Sequence, residues 1–303
     1  MIKKFIAKVI AYAFCLMILV VAIFSYIAIN YPGYVDSSYL KFSQKHNGAL
    51  IIGTSRAAQA IEPSVFGPDV YNFAFTIKTS PFDNTYVKLI KRHHNSSFFD
   101  SRRKHIICVD PWALRTFASD PNEVSNELFE EIQDYPHALF DVFYLVRQLS
   151  LKKIIIDLIT NRGGPYVNDY GRYVVPYDSL WVKDNFEQKI PRKVLEYRSS
   201  PEYQRGYYSE HRLNCLKEII AFLKLDGEVA LIRLPVHDEI YKIESEIAGD
   251  FDSIMNDIAS VNGIVYHNLM PYRNDFLYSD GNHLWSGHSV KLSEILKSTV
   301  LSY

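Results

Sequence analysis

Cysteine is scarce in this chain of 303 residues: Cys15, Cys108 and Cys215 stand far apart. Three scattered thiols make neither a disulfide framework nor a zinc-binding pattern. Cys108 falls in an apolar run and Cys215 on a helical pattern, so both read as buried free thiols. A disulfide between them is the alternative for an exported domain. An excess of charge is also missing. The 33 Lys and Arg against 34 Asp and Glu leave a net charge of -1, which gives no electrostatic footprint for nucleic acid. The histidines include no His-Glu-x-x-His or similar ligand spacing, so neither a metal nor an organic cofactor is implied. No internal repeat or long low-complexity segment occurs, which sets repeat architectures aside.

Apolar residues make up 48% of the chain, enough to bury a substantial core in one main domain with an insertion. The 22 Tyr and 18 Phe suit a glycan-binding surface and equally suit an ordinary large core.

One long apolar run stands at the start. Residues 9–29 carry no charge and follow Lys3, Lys4 and Lys8. A span of about 20 apolar residues matches the hydrocarbon core of a bilayer. Basic residues ahead of it favour a cytoplasmic N-terminus, with the C-terminal domain periplasmic or extracellular. A signal peptide would have a shorter apolar region and a small-residue cleavage site. Ala28-Ile29-Asn30 is a poor one, so a retained single-pass anchor is expected. The expected organisation is a cytoplasmic tip and anchor over 1–30, a linker over 31–48 and an α/β domain over 49–303.

Within that domain, strand-length apolar runs at 49–52, 70–73, 105–109, 228–234 and 263–267 alternate with helical patterns. The helices are expected at 82–93, 212–225, 239–260 and 286–299. Such alternation argues for a mainly parallel sheet with helices on both faces. The interval 112–209 breaks the rhythm, since roughly a hundred residues exceed an ordinary crossover. It reads as an inserted cap, with helical pieces at 123–132 and 137–158. Arg162, Gly163, Gly164, Tyr166 and Tyr170 either line a substrate groove or belong to a solvated loop.

Two short motifs carry the chemistry. Ile51-Ile52-Gly53-Thr54-Ser55-Arg56 places a serine at a strand-to-helix turn, and Ser279-Asp280-Gly281-Asn282-His283 follows the last strand. Both fall at carboxyl ends of strands, where parallel sheets gather their active sites. Ser55 read alone is as well explained as a helix cap, and Asp280 as a turn former. Together, a serine, a histidine to take its proton and a carboxylate to orient the imidazole make the constellation for acyl transfer.

These two motifs resemble the SGNH (GDSL-like) hydrolase superfamily over about residues 49–299, the insertion excluded. The resemblance implies a flavodoxin-like three-layer α/β/α sandwich. It makes Ser55 the nucleophile, His283 the general base and later acid, and Asp280 the residue orienting His283. The oxyanion-hole candidates are the N–H groups of Ser55 and of Ala74, which stands where the family has glycine. The family's third-block asparagine has no counterpart, since Asp110-Pro111-Trp112 follows the third strand. Arg56, Asn72, Asp110 and Trp112 remain as substrate-binding candidates, Arg56 having a helix-surface ion pair as its alternative.

Gly-Thr-Ser-Arg behind a single anchor is similar to an envelope branch of that superfamily, which includes the teichoic-acid D-alanine transfer and alginate O-acetylation proteins. That likeness implies acyl transfer or ester hydrolysis on a cell-envelope glycan or polymer, with a membrane-bound O-acyltransferase as partner. The rival expectation is a non-catalytic, membrane-tethered glycan-binding or scaffold module on the same fold.

Overall fold

The computed structural model describes residues 2–30, 41, 45–74, 82–94, 99–117 and 165–300. The helical pieces expected at 123–132 and 137–158, Arg162, Gly163, Gly164 and most of the 31–48 linker lie outside these residues. Of the expected linker, His46 is joined to the domain edge. His46 stacks on Tyr71 at 3.6 Å, and its N–H donates to the His93 carbonyl at 2.7 Å.

The N-terminal helix α1 spans Ile2–Asn30. Its segment Ile2–Ile23 is long and apolar enough to cross a membrane, and none of that window is buried against the rest of the chain. Large apolar side chains such as Phe14, Leu16 and Ile18 are exposed along it, as suits a helix whose partner is lipid.

Five parallel strands form the central sheet: β1 (Leu50–Ile52), β2 (Tyr71–Asn72), β3 (Lys104–Cys108), β4 (Glu228–Arg233) and β5 (Val265–Asn268). Their order is β2-β1-β3-β4-β5. Pleating sends alternate side chains to opposite faces. Leu50, Ile52, Ile107, Val229 and Leu231 therefore point to one side, against α3 (Asn84–His93), α5 (Glu210–Leu223) and α7 (Phe251–Asn262). Ile51, Ile106, Ala230 and Ile232 point to the other, against α2 (Ser55–Ala60) and α8 (Ser289–Val300). Register keeps each set in one row, since Ile51 pairs with Ile106 and Ile106 with Ala230. With both faces covered, the strands read as nearly unbroken apolar runs.

The helix expected at 239–260 is two helices, α6 (Asp238–Ile247) and α7, separated by Ala248-Gly249-Asp250. Glycine weakens helix propagation, and the Phe251 N–H turns back to the Ala248 carbonyl. The last helix starts at Ser289, after a 3-10 turn over Ser286–His288. Cys108 and Cys215 are free and buried, and burial raises the Cys215 thiol pKa to about 11.

The insertion is clipped at both ends, because Arg115–Thr116 pairs antiparallel with Tyr207–Tyr208. Its described part holds a hairpin, Tyr166–Val167 with Tyr173–Val174, and the long helix α4 (Ser179–Ser199). The hairpin lies beside the β2 edge, where the Asn72 N–H donates to the Tyr170 carbonyl at 2.8 Å. Arg172 ties it to the domain through Glu62 at 2.9 Å and the Ser286 carbonyl at 2.9 Å.

Candidate active site

The turn after β1 is built so that Ser55 opens a helix. Gly53 adopts φ +147, and a Cβ there would lie 2.8 Å from the Cys108 carbonyl oxygen on β3. Only glycine allows the chain to pass so close to its neighbour. The Gly53 N–H donates to the Tyr86 hydroxyl at 3.1 Å, and Thr54 Oγ1 donates to Asp110 Oδ2 at 2.8 Å. These bonds fix the turn on either side. Ser55 is then the first residue of α2, where no intrahelical carbonyl reaches its N–H.

The second segment is a tight loop beyond β5. The Ser279 N–H donates to the His283 carbonyl at 2.9 Å, and Tyr278 bridges Leu284. Gly281 at its tip has φ +86, and a Cβ there would meet Ile190 of α4 at 2.6 Å. Asp280 Oδ1 accepts from the N–H groups of Asn282 at 3.0 Å and His283 at 2.8 Å. Its Oδ2 lies 2.9 Å from His283 Nδ1. Burial works against the Asp280 charge. The His283 ring and backbone and the nearby Lys193 outweigh it, holding the carboxyl well below the usual range.

His283 Nε2 lies 2.9 Å from Ser55 Oγ, a contact between residues 228 positions apart. An ionised Asp280 accepts only, so His283 Nδ1 carries a proton, and in the neutral imidazole Nε2 is then the acceptor that faces the serine hydroxyl. A hydrogen-bond chain of this kind can prepare a hydroxyl for proton loss during attack. His283 and Asp280 remain partly open, with side chains 15% and 28% exposed. His288 instead accepts from the Leu277 N–H at 2.9 Å and packs edge-on against Trp285.

The structure brings Arg56 to this site, but as a buried strut. Its Nη2 reaches Glu244 Oε1 at 2.6 Å, with the two side chains 6% and 0% exposed. Its Nε and Nη2 both donate to Asn282 Oδ1, at 2.9 and 2.6 Å. Glu244 in turn pairs with Arg233 at 2.9 Å, and Arg233 with Asp252 at 3.0 Å. The expected surface ion pair is therefore a buried network joining α2, α6, β4 and α7. Removing one partner of such a network typically costs about 3–5 kcal/mol.

The other sequence candidates make contacts within the scaffold. Asn72 is fully buried and donates to the carbonyls of Ala57 and Ile61 at 2.9 and 3.2 Å. Its Oδ1 accepts from the Ala74 N–H at 3.1 Å, so the backbone donor expected to face an oxyanion is already engaged. Asp110 holds Thr54 and caps Pro111–Leu114 by accepting from the Ala113 N–H at 2.9 Å. Trp112 stacks on Tyr197 of α4 at 4.4 Å. Tyr170 lines a cleft with His46, Asp69 and Arg103 at the opposite end of the strands, and Tyr166 is exposed.

Asn282 and Glu244 stand at the site although neither is among the sequence candidates. Asn282 stands inside the quoted motif between Asp280 and His283. Glu244 left a fainter signal: it falls in register with buried Ile240 and Ile243 on one helical stripe, where a charge needs a partner. No protein-family model matches the chain, and no curated protein matches it.

Proposed function

We propose that this chain is a membrane-anchored, serine-dependent acyl-transfer or ester-cleaving protein of the SGNH type, acting on a cell-envelope glycan or polymer. The observation that carries the reading is the Ser55–His283–Asp280 relay, with both links at 2.9 Å. Sheet order 2-1-3-4-5 with apolar contacts on both faces supports a flavodoxin-like three-layer sandwich. Ser55 Oγ bonds to the acyl carbonyl carbon while its proton passes to His283 Nε2. Collapse of the tetrahedral intermediate expels the leaving group, protonated by His283, and the acyl-serine passes its acyl group to a sugar hydroxyl or water. Lys3, Lys4 and Lys8 ahead of α1 support a cytoplasmic N-terminus and a domain outside the cytoplasm. There a membrane-bound O-acyltransferase would serve as the partner that supplies acyl groups.

A second reading, a scaffold or glycan-binding module without catalysis, is favoured by one observation: the Ala74 N–H is spent on Asn72. Loss of an oxyanion donor typically costs about two to three orders of magnitude in rate. A fluorophosphonate probe on the full chain in detergent separates the two. The enzyme reading expects labelling of the wild type and none of Ser55→Ala at unchanged melting temperature. An unlabelled wild type leaves the scaffold reading.

A further inference from the structure

We infer that Asn282 supplies the side-chain donor of the oxyanion hole, oriented by the buried Arg56–Glu244 pair; this rests on the acyl-transfer reading. A guanidinium has donors and no acceptor, so the amide oxygen of Asn282 must face Arg56. Both contacts are made to that oxygen, at 2.9 and 2.6 Å. Arg56 cannot swing away, because fully buried Glu244 holds its Nη2 at 2.6 Å and is itself held by Arg233. The Asn282 N–H is fixed on Asp280 at 3.0 Å. With one end of the amide pinned, the other is directed: Nδ2 lies 3.3 Å from His283 Nε2.

That ring nitrogen has a single in-plane lone pair, and the Ser55 hydroxyl takes it at 2.9 Å. The amide N–H groups are thus beside the Ser–His pair without a good acceptor in the resting site. Attack changes this. As Ser55 Oγ bonds to the carbonyl carbon and its proton moves to His283, the carbonyl π pair localises on oxygen next to these donors. The Ser55 N–H is the natural second donor. Charge-assisted bonds from Arg56 to the amide oxygen also polarise the N–H groups, strengthening them as donors. Asn282 so replaces the engaged Ala74 N–H and the missing third-block asparagine.

The test is the rate of Ser55 phosphonylation by a fluorophosphonate, in which an Oγ–P bond forms, fluoride leaves and His283 takes the proton. Each protein is read as the full chain, at its own optimal pH. Asn282→Asp keeps an oxygen for Arg56 and removes the donor; it is expected to slow labelling by about two to three orders of magnitude. Asn282→Ala, which opens room for a water to donate, is expected to fall less, giving wild type above Ala above Asp. Rates that fall only in step with melting temperature, or an Asn282→Asp rate within about threefold of wild type, overturn the assignment. If the wild type itself shows no Ser55-dependent labelling, the acyl-transfer reading fails and takes this inference with it. Labelled wild type, silent Ser55→Ala and unimpaired Asn282→Asp remove Asn282 alone.

Discussion

At the carboxyl end of the strands, His283 lies between Asp280 and Ser55; at the amino end, His94 and His105 both lie against Asp226. The residue types are nearly the same. Asp226 accepts from His94 Nε2 at 2.8 Å, His105 Nε2 at 3.1 Å and Arg103 Nη1 at 2.8 Å. His105 Nδ1 accepts from the Leu50 N–H at 3.0 Å. A backbone N–H only donates, so His105 is neutral with its proton on Nε2, and both ring nitrogens are committed. All three side chains, His94, His105 and Asp226, are 0–1% exposed. Burial opposes the Asp226 charge, but His105 and His94 outweigh it and bring the carboxyl to about 2. The amino-end cluster is a closed knot that fastens α3 and β3 to the turn before β4. The carboxyl-end pair differs in one respect that matters for chemistry: its histidine lone pair meets a hydroxyl at a partly open surface.

The largest expected effect comes from breaking the open end. His283→Ala leaves Ser55 without a base and is expected to resemble Ser55→Ala, losing up to about six orders of magnitude in phosphonylation rate. Asp280→Asn keeps a side chain beside His283 but favours the wrong tautomer, and is expected to lose about four orders. Melting temperature should separate chemistry from folding in both. A His283→Ala protein that still labels at Ser55 would remove the histidine from the relay.

The reverse experiment concerns the closed end. Asp226→Asn places an amide, with one acceptor oxygen, opposite three donors that now share a carboxylate. Urea unfolding is expected to show a loss of about 2–4 kcal/mol, while the folded fraction labels at the wild-type rate. Equal loss of labelling and stability would mean that the two ends are one functional unit, and the contrast would dissolve.

What the sequence made legible follows the same division between local pattern and distant pairing. The five strands were readable because a sheet covered on both faces needs runs such as Leu50-Ile51-Ile52 and His105-Ile106-Ile107-Cys108. The approach of Ser55, His283 and Asp280 to one another was legible because Asp280 and His283 share one tight loop and Ser55 follows a strand. The engagement of the Ala74 N–H is not legible in the sequence, since the folding back of Asn72 Oδ1 onto it depends on side-chain torsion, which residue type does not reveal. The burial of Arg56 is not legible either, because its partner Glu244 lies in a different helix far along the chain. The break at Gly249-Asp250 is masked in the sequence by an apolar period that continues from α6 into α7.

The smallest expected effect is a null result that follows from proton bookkeeping at the closed end. His94, His105 and Asp226 present ligand atoms within 4.8 Å of one another, a spacing that invites a zinc ion. Binding there would need the Nε2 lone pair of His105. That nitrogen carries a proton as long as Nδ1 accepts from Leu50, so a metal would have to form an imidazolate or break the hydrogen bond from the Leu50 N–H. It would also displace Arg103 from the carboxylate and bring a second cation beside it. A ligand at about a hundred times its dissociation constant stabilises a fold by about 2.7 kcal/mol, or several degrees of melting temperature. Zinc chloride at tens of micromolar is therefore expected to leave the melting temperature of the full chain within about a degree. A saturable rise of several degrees, abolished by Asp226→Asn, would show that the knot opens to metal, and that His105 is no more committed than His283.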